Sequence, residues 1–148
     1  MKTQAGYLIS KIHQISERIL SKLLKDAEIE DINPAQGRIL FALWKQDGVP
    51  ITELARETQL HKSTLTKMLD HLEESGHLKR EQMPGDRRTT LVRLTEKNRY
   101  LKEKYEETSE EMRQIYYKGF KADEVTQLNE LLIRVLDNLI EYTLNSRR

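Results

Sequence analysis

The chain has 148 residues, 37% of them hydrophobic and 33% charged, with 25 Lys and Arg against 24 Asp and Glu and no cysteine. That length suits one domain, or one small domain plus an extension, and the composition favours long charge-laced helices over a thick core. The missing cysteine excludes disulfides, thiolate metal sites and a peroxide-sensing thiol, and with no leader pattern or apolar run of membrane length the expectation is a soluble, cytoplasmic protein.

A net charge of +1 does not announce a nucleic-acid partner, so distribution matters more than the total. Residues 1–60 carry eight basic and eight acidic side chains, residues 61–94 seven and five, and residues 95–146 eight and eleven, with Arg147 and Arg148 closing the chain. The positive surplus lies in the middle and is modest.

A first helix is expected from about Gln4 to Asp26, where Leu8, Ile12, Ile15, Ile19 and Leu23 recur at four- and three-residue steps. Such a narrow seam suits packing against another helix. His13 lies beside it, and a lone histidine there is more often packed or solvated than a ligand. Ile32-Asn33-Pro34-Ala35-Gln36 reads as a helix start, with Asn33 as N-cap, Pro34 at N1 and Gln36 completing a capping box. This second helix runs to about Lys45, with Ile39, Leu40 and Leu43 inward and Phe41 and Trp44 filling core. Gly37 inside it either permits a close helix contact or is tolerated at about 1 kcal/mol. Val49-Pro50-Ile51 is a short extended piece, the third strand of a small sheet, and Thr52 is expected to cap the next helix.

A short helix over Thr52–Thr58 is followed, after a brief turn, by a helix from Lys62 to about Ser75. The second has two faces. Leu65, Met68, Leu69 and Leu72 form one apolar stripe, while Ser63, Thr66, Lys67 and Asp70 repeat that spacing on another side, with Lys62 and Thr64 near the start. Short hydroxyls and a lysine at the first turns of a helix suit contact with base edges and phosphates in a major groove. A solvated surface is the plainer alternative. Gly76 marks the helix end. His77–Gln82 and Thr89–Leu94 then flank Met83-Pro84-Gly85-Asp86-Arg87-Arg88, a hairpin whose Pro-Gly is a turn signal. Two arginines at a hairpin tip either suit a narrow, electronegative minor groove or keep an exposed hairpin soluble.

Thr95 is a good N-cap for a long helix reaching about Lys118, whose apolar residues Leu101, Tyr105, Met112, Ile115 and Tyr116 are sparse among Glu and Lys. It reads as a connecting spoke outside the core. Gly119 to Ala122 break it. From Asp123 a last helix carries Val125, Leu128, Leu132, Val135, Leu136, Leu139 and Ile140, a stripe too wide for a monomer to leave wet.

The ordered set of motifs resembles the MarR family of winged-helix regulators over nearly the whole chain. The family pattern is a Ser/Thr-rich recognition helix, then L-x-x-x-G-h-h-x-R (h apolar), D-x-R in the wing, and h-x-L-T. Here these are Ser63, Thr64, Thr66 and Lys67; Leu72 to Arg80; Asp86 to Arg88; and Val92 to Thr95. Two residues depart from it: His77 stands where an apolar residue commonly follows the glycine, and Asn98 replaces a glycine often seen after the L-T-x-K segment. The resemblance implies a mainly α fold with a small β-wing, a winged helix-turn-helix plus a helical dimerisation region. Residues 33–94 would form the DNA-binding domain, 95–118 the connecting helix, and 1–32 with 119–148 the dimerisation helices.

The expected function is a homodimeric, sequence-specific transcriptional regulator, a repressor, on a pseudo-palindromic stretch of double-stranded DNA. Ser63, Thr64 and Lys67 would read bases or phosphates, supported by Lys62 and Thr66, while Arg87 and Arg88 reach the minor groove. Asp86, which phosphate would repel, is expected to brace the wing by pairing with an arginine. The resemblance also implies release by a small aromatic or phenolic effector, for which Tyr7, Tyr100, Tyr105 and His13 are candidate lining residues, although the ligand site is not identified. No cofactor, metal or membrane partner is expected. No Gly-rich phosphate loop, G-x-S-x-G or H-E-x-x-H points to an enzyme. The competing reading is a winged-helix module that binds protein rather than specific DNA.

Overall fold

The computed structural model describes residues 4–146. In chain order it contains α1 (Ala5–Asp26), α2 (Pro34–Lys45), β1 (Val49–Pro50), α3 (Ile51–Thr58), α4 (Lys62–Glu74), β2 (Leu78–Met83), β3 (Asp86–Leu94), α5 (Glu96–Tyr116) and α6 (Ala122–Ser146). The chain divides between Met112 and Arg113 into two compact units.

In the first unit the helix starts and stops follow local chemistry. Asn33 accepts from the Gln36 N–H at 2.8 Å while the Gln36 side chain accepts from the Asn33 N–H at 3.1 Å, so the expected capping box is formed. Helix α4 stops at Gly76, whose φ of +83° lets its N–H reach the Glu73 carbonyl and the His77 N–H reach the Leu72 carbonyl. That double bond is a Schellman stop. Helix α1 ends in the same way, with Glu28 and Ile29 donating to Lys25 and Leu24, but here the left-handed position (φ +61°) is filled by Glu28. A side chain in that conformation costs about 1–2 kcal/mol. Glu28→Gly is therefore expected to raise unfolding stability by about 1 kcal/mol, measurable by urea titration, and an unchanged midpoint would count against this strain.

Three strands form an antiparallel sheet in the order β1-β3-β2. Val49 pairs with Val92, and Leu78 with Leu94. Asp47 pins the short β1 edge by accepting from the Gly48 and Leu94 N–H groups. Around the sheet, Leu24, Ile39, Leu40, Leu43, Leu54, Leu65, Leu69, Leu72 and Val92 are essentially dry and share one hydrophobic cluster. At ~1.5–3 kcal/mol for each aliphatic side chain fully buried, this cluster dominates the unit's stability.

Several expectations are corrected. Thr52 does not cap α3, which begins one residue earlier, at Ile51 behind Pro50, with no side-chain cap. Phe41 lies on the outer face of α2, 55% exposed, its ring beneath the Lys45 ammonium, so only Trp44 of the two aromatics packs on the core. Thr95 turns its hydroxyl to the Gly76 carbonyl, tying the α4 stop to the start of α5. The part of α5 in the first unit does not stay outside the core: Tyr105 belongs to the core cluster, and Asn98, Thr108 and Met112 are also buried. Gly37 permits this approach. The Tyr105 ring lies over it so closely that a Cβ there would meet Cζ at 2.7 Å. Burial raises the Tyr105 phenol above its usual range.

In the second unit Gly119 (φ +83°) makes the break after α5, and the Lys121 N–H donates to the Glu124 carboxylate at the start of α6. The Tyr117 hydroxyl donates to Asn129, and its ring meets Phe120 edge-on. Helix α6 contains no buried residue: Leu131, Leu132, Leu136, Leu139 and Leu144 are all exposed. In the first unit α1 likewise exposes Tyr7, Leu8, Ile9, Ile12 and Ile15 toward its N-terminal end.

Candidate nucleic-acid interface

Helix α4 is held by one side and open on the other. Leu65, Leu69 and Leu72 have no exposure, which fixes the helix axis and its rotation. The opposite side presents Lys62, Ser63, Thr64, Thr66 and Lys67, all exposed. The hydroxyl of Thr66 donates to the Lys62 carbonyl at 2.8 Å, so it braces the first turn and retains only acceptor capacity outward. Among the described residues, the side chains of Lys62, Ser63, Thr64 and Lys67 make no hydrogen bond or ion pair. Unengaged donors beside the free N–H groups of a helix start form a surface suited to phosphate oxygens and base edges.

The wing differs from the expected hairpin in one respect. Its turn is only Pro84-Gly85, with Gly85 at φ +82°, and Met83 pairs with Asp86. Asp86, Arg87 and Arg88 therefore lie in β3, but after the Met83–Asp86 pair the ladder resumes only at Gln82–Thr90, so Arg87, Arg88 and Thr89 form a bulge beside the turn. In a strand successive side chains leave opposite faces. Thr90 and Val92 share a face beyond the bulge, while Arg87 and Arg88 lie within it, and both arginines are exposed. Asp86 braces this strand, but its partners are the Thr89 hydroxyl at 2.7 Å and the Arg88 backbone N–H at 3.0 Å, not an arginine side chain. The Thr89 hydroxyl and then the Arg88 N–H hold the Asp86 carboxyl below its usual range.

A clamp that the sequence alone does not assign ties the wing to α4. The Arg80 guanidinium lies 2.6 Å from Asp70 and 2.7 Å from Glu73, and the Arg80 backbone N–H donates to the second Glu73 oxygen at 3.0 Å. Arg80 is opposite Val92 and shares its sheet face. A signal for it exists: two acidic residues three apart on α4, followed by an arginine at a fixed place in β2. The Arg80 N–H and then its guanidinium hold Glu73 below the ordinary glutamate value of 4.5, and Glu73 in turn raises Arg80. A depressed carboxylate stabilises the fold above its unfolded value and loses that contribution as pH falls through the folded one. Arg80→Ala should cost about 1 kcal/mol near neutral pH and flatten the stability loss below pH 4.5. An acid-unfolding curve parallel to the wild type's would refute the clamp.

The four candidate effector-lining residues do not share one environment. Tyr105 is buried against Trp44 and Gly37, whereas Tyr7 and Tyr100 are 64% and 84% exposed and His13 pairs with Glu17 on the surface of α1. Among the described residues no cluster of three or more His, Asp or Glu is placed to hold a metal ion, and no helix is long and apolar enough to cross a membrane.

The MarR family profile matches residues 32–90, the stretch that holds α2 to the arginines of β3. The multiple antibiotic resistance protein MarR of Escherichia coli is 31% identical over 132 residues, covering 88% of this chain and 90% of its own. A crystal structure of a mutant E. coli MarR complexed with operator DNA superposes with a TM-score of 0.79 at 30% identity, covering 88% of this chain and 92% of that one. BpsR of Bordetella bronchiseptica, whose DNA binding is described as regulated by 6-hydroxynicotinic acid, superposes with a TM-score of 0.81 at 25% identity over 90% and 94% of the two chains. On this agreement of sequence and fold, the chain belongs to the MarR family.

Proposed function

We propose that the protein is a sequence-specific transcriptional regulator that binds operator DNA as a homodimer and represses from that position. The observation that carries this reading is the row of exposed, unengaged side chains at the start of α4, Lys62, Ser63, Thr64 and Lys67, on a helix locked from behind by three dry leucines. Ser63, Thr64 and Lys67 read base edges in the major groove, with Lys62 and Thr66 on the flanking backbone. Arg87 and Arg88 extend from the wing to the minor groove or its phosphates, and Asp86 holds the bulged stretch that carries them through the Arg88 N–H and the Thr89 hydroxyl. The E. coli relative seen with operator DNA supports the reading and weighs against a purely protein-binding module.

Residues 33–94 are the DNA-binding part in this proposal, residues 95–118 connect, and segments 1–32 and 119–148 pair two copies. The support is the wet apolar faces of α1 and α6, since each leucine left in water forfeits about 1.5–3 kcal/mol relative to burial. A two-fold dimer presents two reading helices about 34 Å apart, which matches a pseudo-palindrome. A small aromatic or phenolic effector that favours a different dimer geometry would release the DNA, by coupling between two conformations. The named ligand of BpsR regulation supports that class. The proposed role needs neither catalysis nor a cofactor, and it places the protein in the cytoplasm.

Sedimentation with and without duplex DNA tests the assembly. The expected species are a dimer alone and one dimer per operator-length duplex; monomers that coat DNA in proportion to its length would overturn the proposal.

A further inference from the structure

The two residues that depart from the family pattern, His77 and Asn98, meet in the interior. His77 is 2% exposed and Asn98 1%. The Trp44 indole N–H donates to Asn98 Oδ1 at 2.6 Å. Asn98 Nδ2 lies 3.4 Å from His77 Nδ1, and His77 Nε2 lies 2.6 Å from Asp31 Oδ2. One chain of contacts thus joins α2, α5, the residue between the α4 stop and β2, and the linker before α2.

Donor chemistry sets the direction of every bond in it. An indole N–H only donates, so the Asn98 oxygen must face Trp44 and its amide NH₂ must face His77. The NH₂ only donates, so His77 Nδ1 must be the bare, accepting nitrogen. The proton then sits on Nε2 and is donated to Asp31. Burial pushes the Asp31 carboxyl up, but the hydrogen bond from His77, with Asp31's own backbone N–H and the Lys97 ammonium, outweighs it and leaves Asp31 below its usual range. Each link passes a proton donor in the same sense, from Trp44 through Asn98 and His77 to Asp31.

We propose that Trp44, Asn98, His77 and Asp31 form a proton-sensitive strut that positions α4 and the wing, so that acidification weakens operator binding. A second proton on the ring goes to Nδ1 and sets N–H against N–H at Asn98. The amide cannot turn over, because its nitrogen would then face the indole N–H. One buried link is lost whichever way the side chains settle. The charged groups near the ring are Asp31 from the linker and, acting on Asp31, Lys97 from α5, whose ammonium also holds the Ser75 carbonyl at the α4 stop. On α4 the Glu73 carboxylate is committed to Arg80, and from β3's end Thr95 offers only its backbone N–H, to the His77 carbonyl. Asp31 stays ionised in both states, so the ring's partner at Nε2 is retained while the Asn98 link is the one that breaks. The reading-competent form therefore binds fewer protons, and affinity falls as pH falls.

The strut rests on the DNA-reading proposal, so its test separates the two. Operator affinity of the full chain would be followed by fluorescence anisotropy from about pH 8 to pH 5.5, across the range where histidines change charge. His77→Leu combined with Asn98→Gly replaces both polar partners with the family's pattern. The wild type should lose about tenfold more affinity on acidification than this double variant, the equivalent of one buried hydrogen bond. The double variant keeps His13, His61 and His71, so the difference isolates His77. Independently of DNA and of the variant, ¹⁵N NMR of the wild type should show the Nε2–H tautomer at His77, with the Trp44 indole N–H shifting as that ring takes its second proton. Matching pH profiles, an Nδ1–H tautomer or an unmoved indole signal would each overturn the strut. Absence of any operator binding at pH near 8 would instead overturn the reading on which it rests.

Discussion

Replacing Arg87 and Arg88 together by alanine is expected to weaken operator binding about 10- to 100-fold with no change in melting temperature. Both side chains are exposed and, among the described residues, neither is engaged by the protein, so removal leaves no buried group unpaired. In the proposed bound state each would replace counterions on DNA, and the slope of log affinity against log salt should fall by about one for every phosphate that is no longer neutralised. The strand geometry adds a sharper expectation. Arg87 and Arg88 both fall in the bulged stretch between the Met83–Asp86 and Gln82–Thr90 pairs, neither with a cross-strand partner, so each should meet phosphate on its own and their single-variant losses should add. Anisotropy titrations of both singles and the double at two salt concentrations check this. Unchanged affinity in the double variant would remove the wing from the interface.

Gly37→Ala is expected to be the most damaging one-carbon change in the first unit, costing about 1–3 kcal/mol. The added carbon would press into the Tyr105 ring, whose Cζ lies 2.7 Å from the Cβ position, and the ring is itself held tilted against Trp44 with centroids 5.2 Å apart. Alanine would otherwise gain helix propensity of up to about 1 kcal/mol over glycine, so the sign of the effect is diagnostic. Thermal unfolding should show a lower midpoint. Pairing it with Tyr105→Phe, which removes the intruding hydroxyl, should recover part of the loss. A more stable Gly37→Ala protein would show that α5 does not sit on α2 as described.

What the sequence discloses follows from how local each signal is. The Asn33-Pro34-Gln36 cap, the Gly76 stop and the leucine stripe of α4 each depend on residues within one or two turns, and each is legible in the residues alone. The same holds for the exposed row at the start of α4. Position along the hairpin is less secure: six residues from Met83 to Arg88 look loop-like, but Pro84-Gly85 closes the turn and moves both arginines into the strand. Long-range pairings are not legible. Arg80 finds Asp70 and Glu73 only once β2 folds back along α4, and Tyr105 finds Gly37 from the far side of the whole winged-helix segment. The sparse apolar content of α5 suggests a solvated rod, because a single aromatic over a glycine buries more than periodicity can reveal. His77 and Asn98 each look like an isolated local departure, and only their contact gives either a meaning.

The most direct test of the central claim is selection of bound sequences from random duplex DNA by the purified full chain at two salt concentrations. The account predicts a pseudo-palindrome with half-sites about one helical turn apart, bound more tightly at low salt, with base preference relaxed in Lys67→Ala. Recovery of no common sequence, with binding that disappears as salt rises, would contradict it and leave only charge attraction to the duplex.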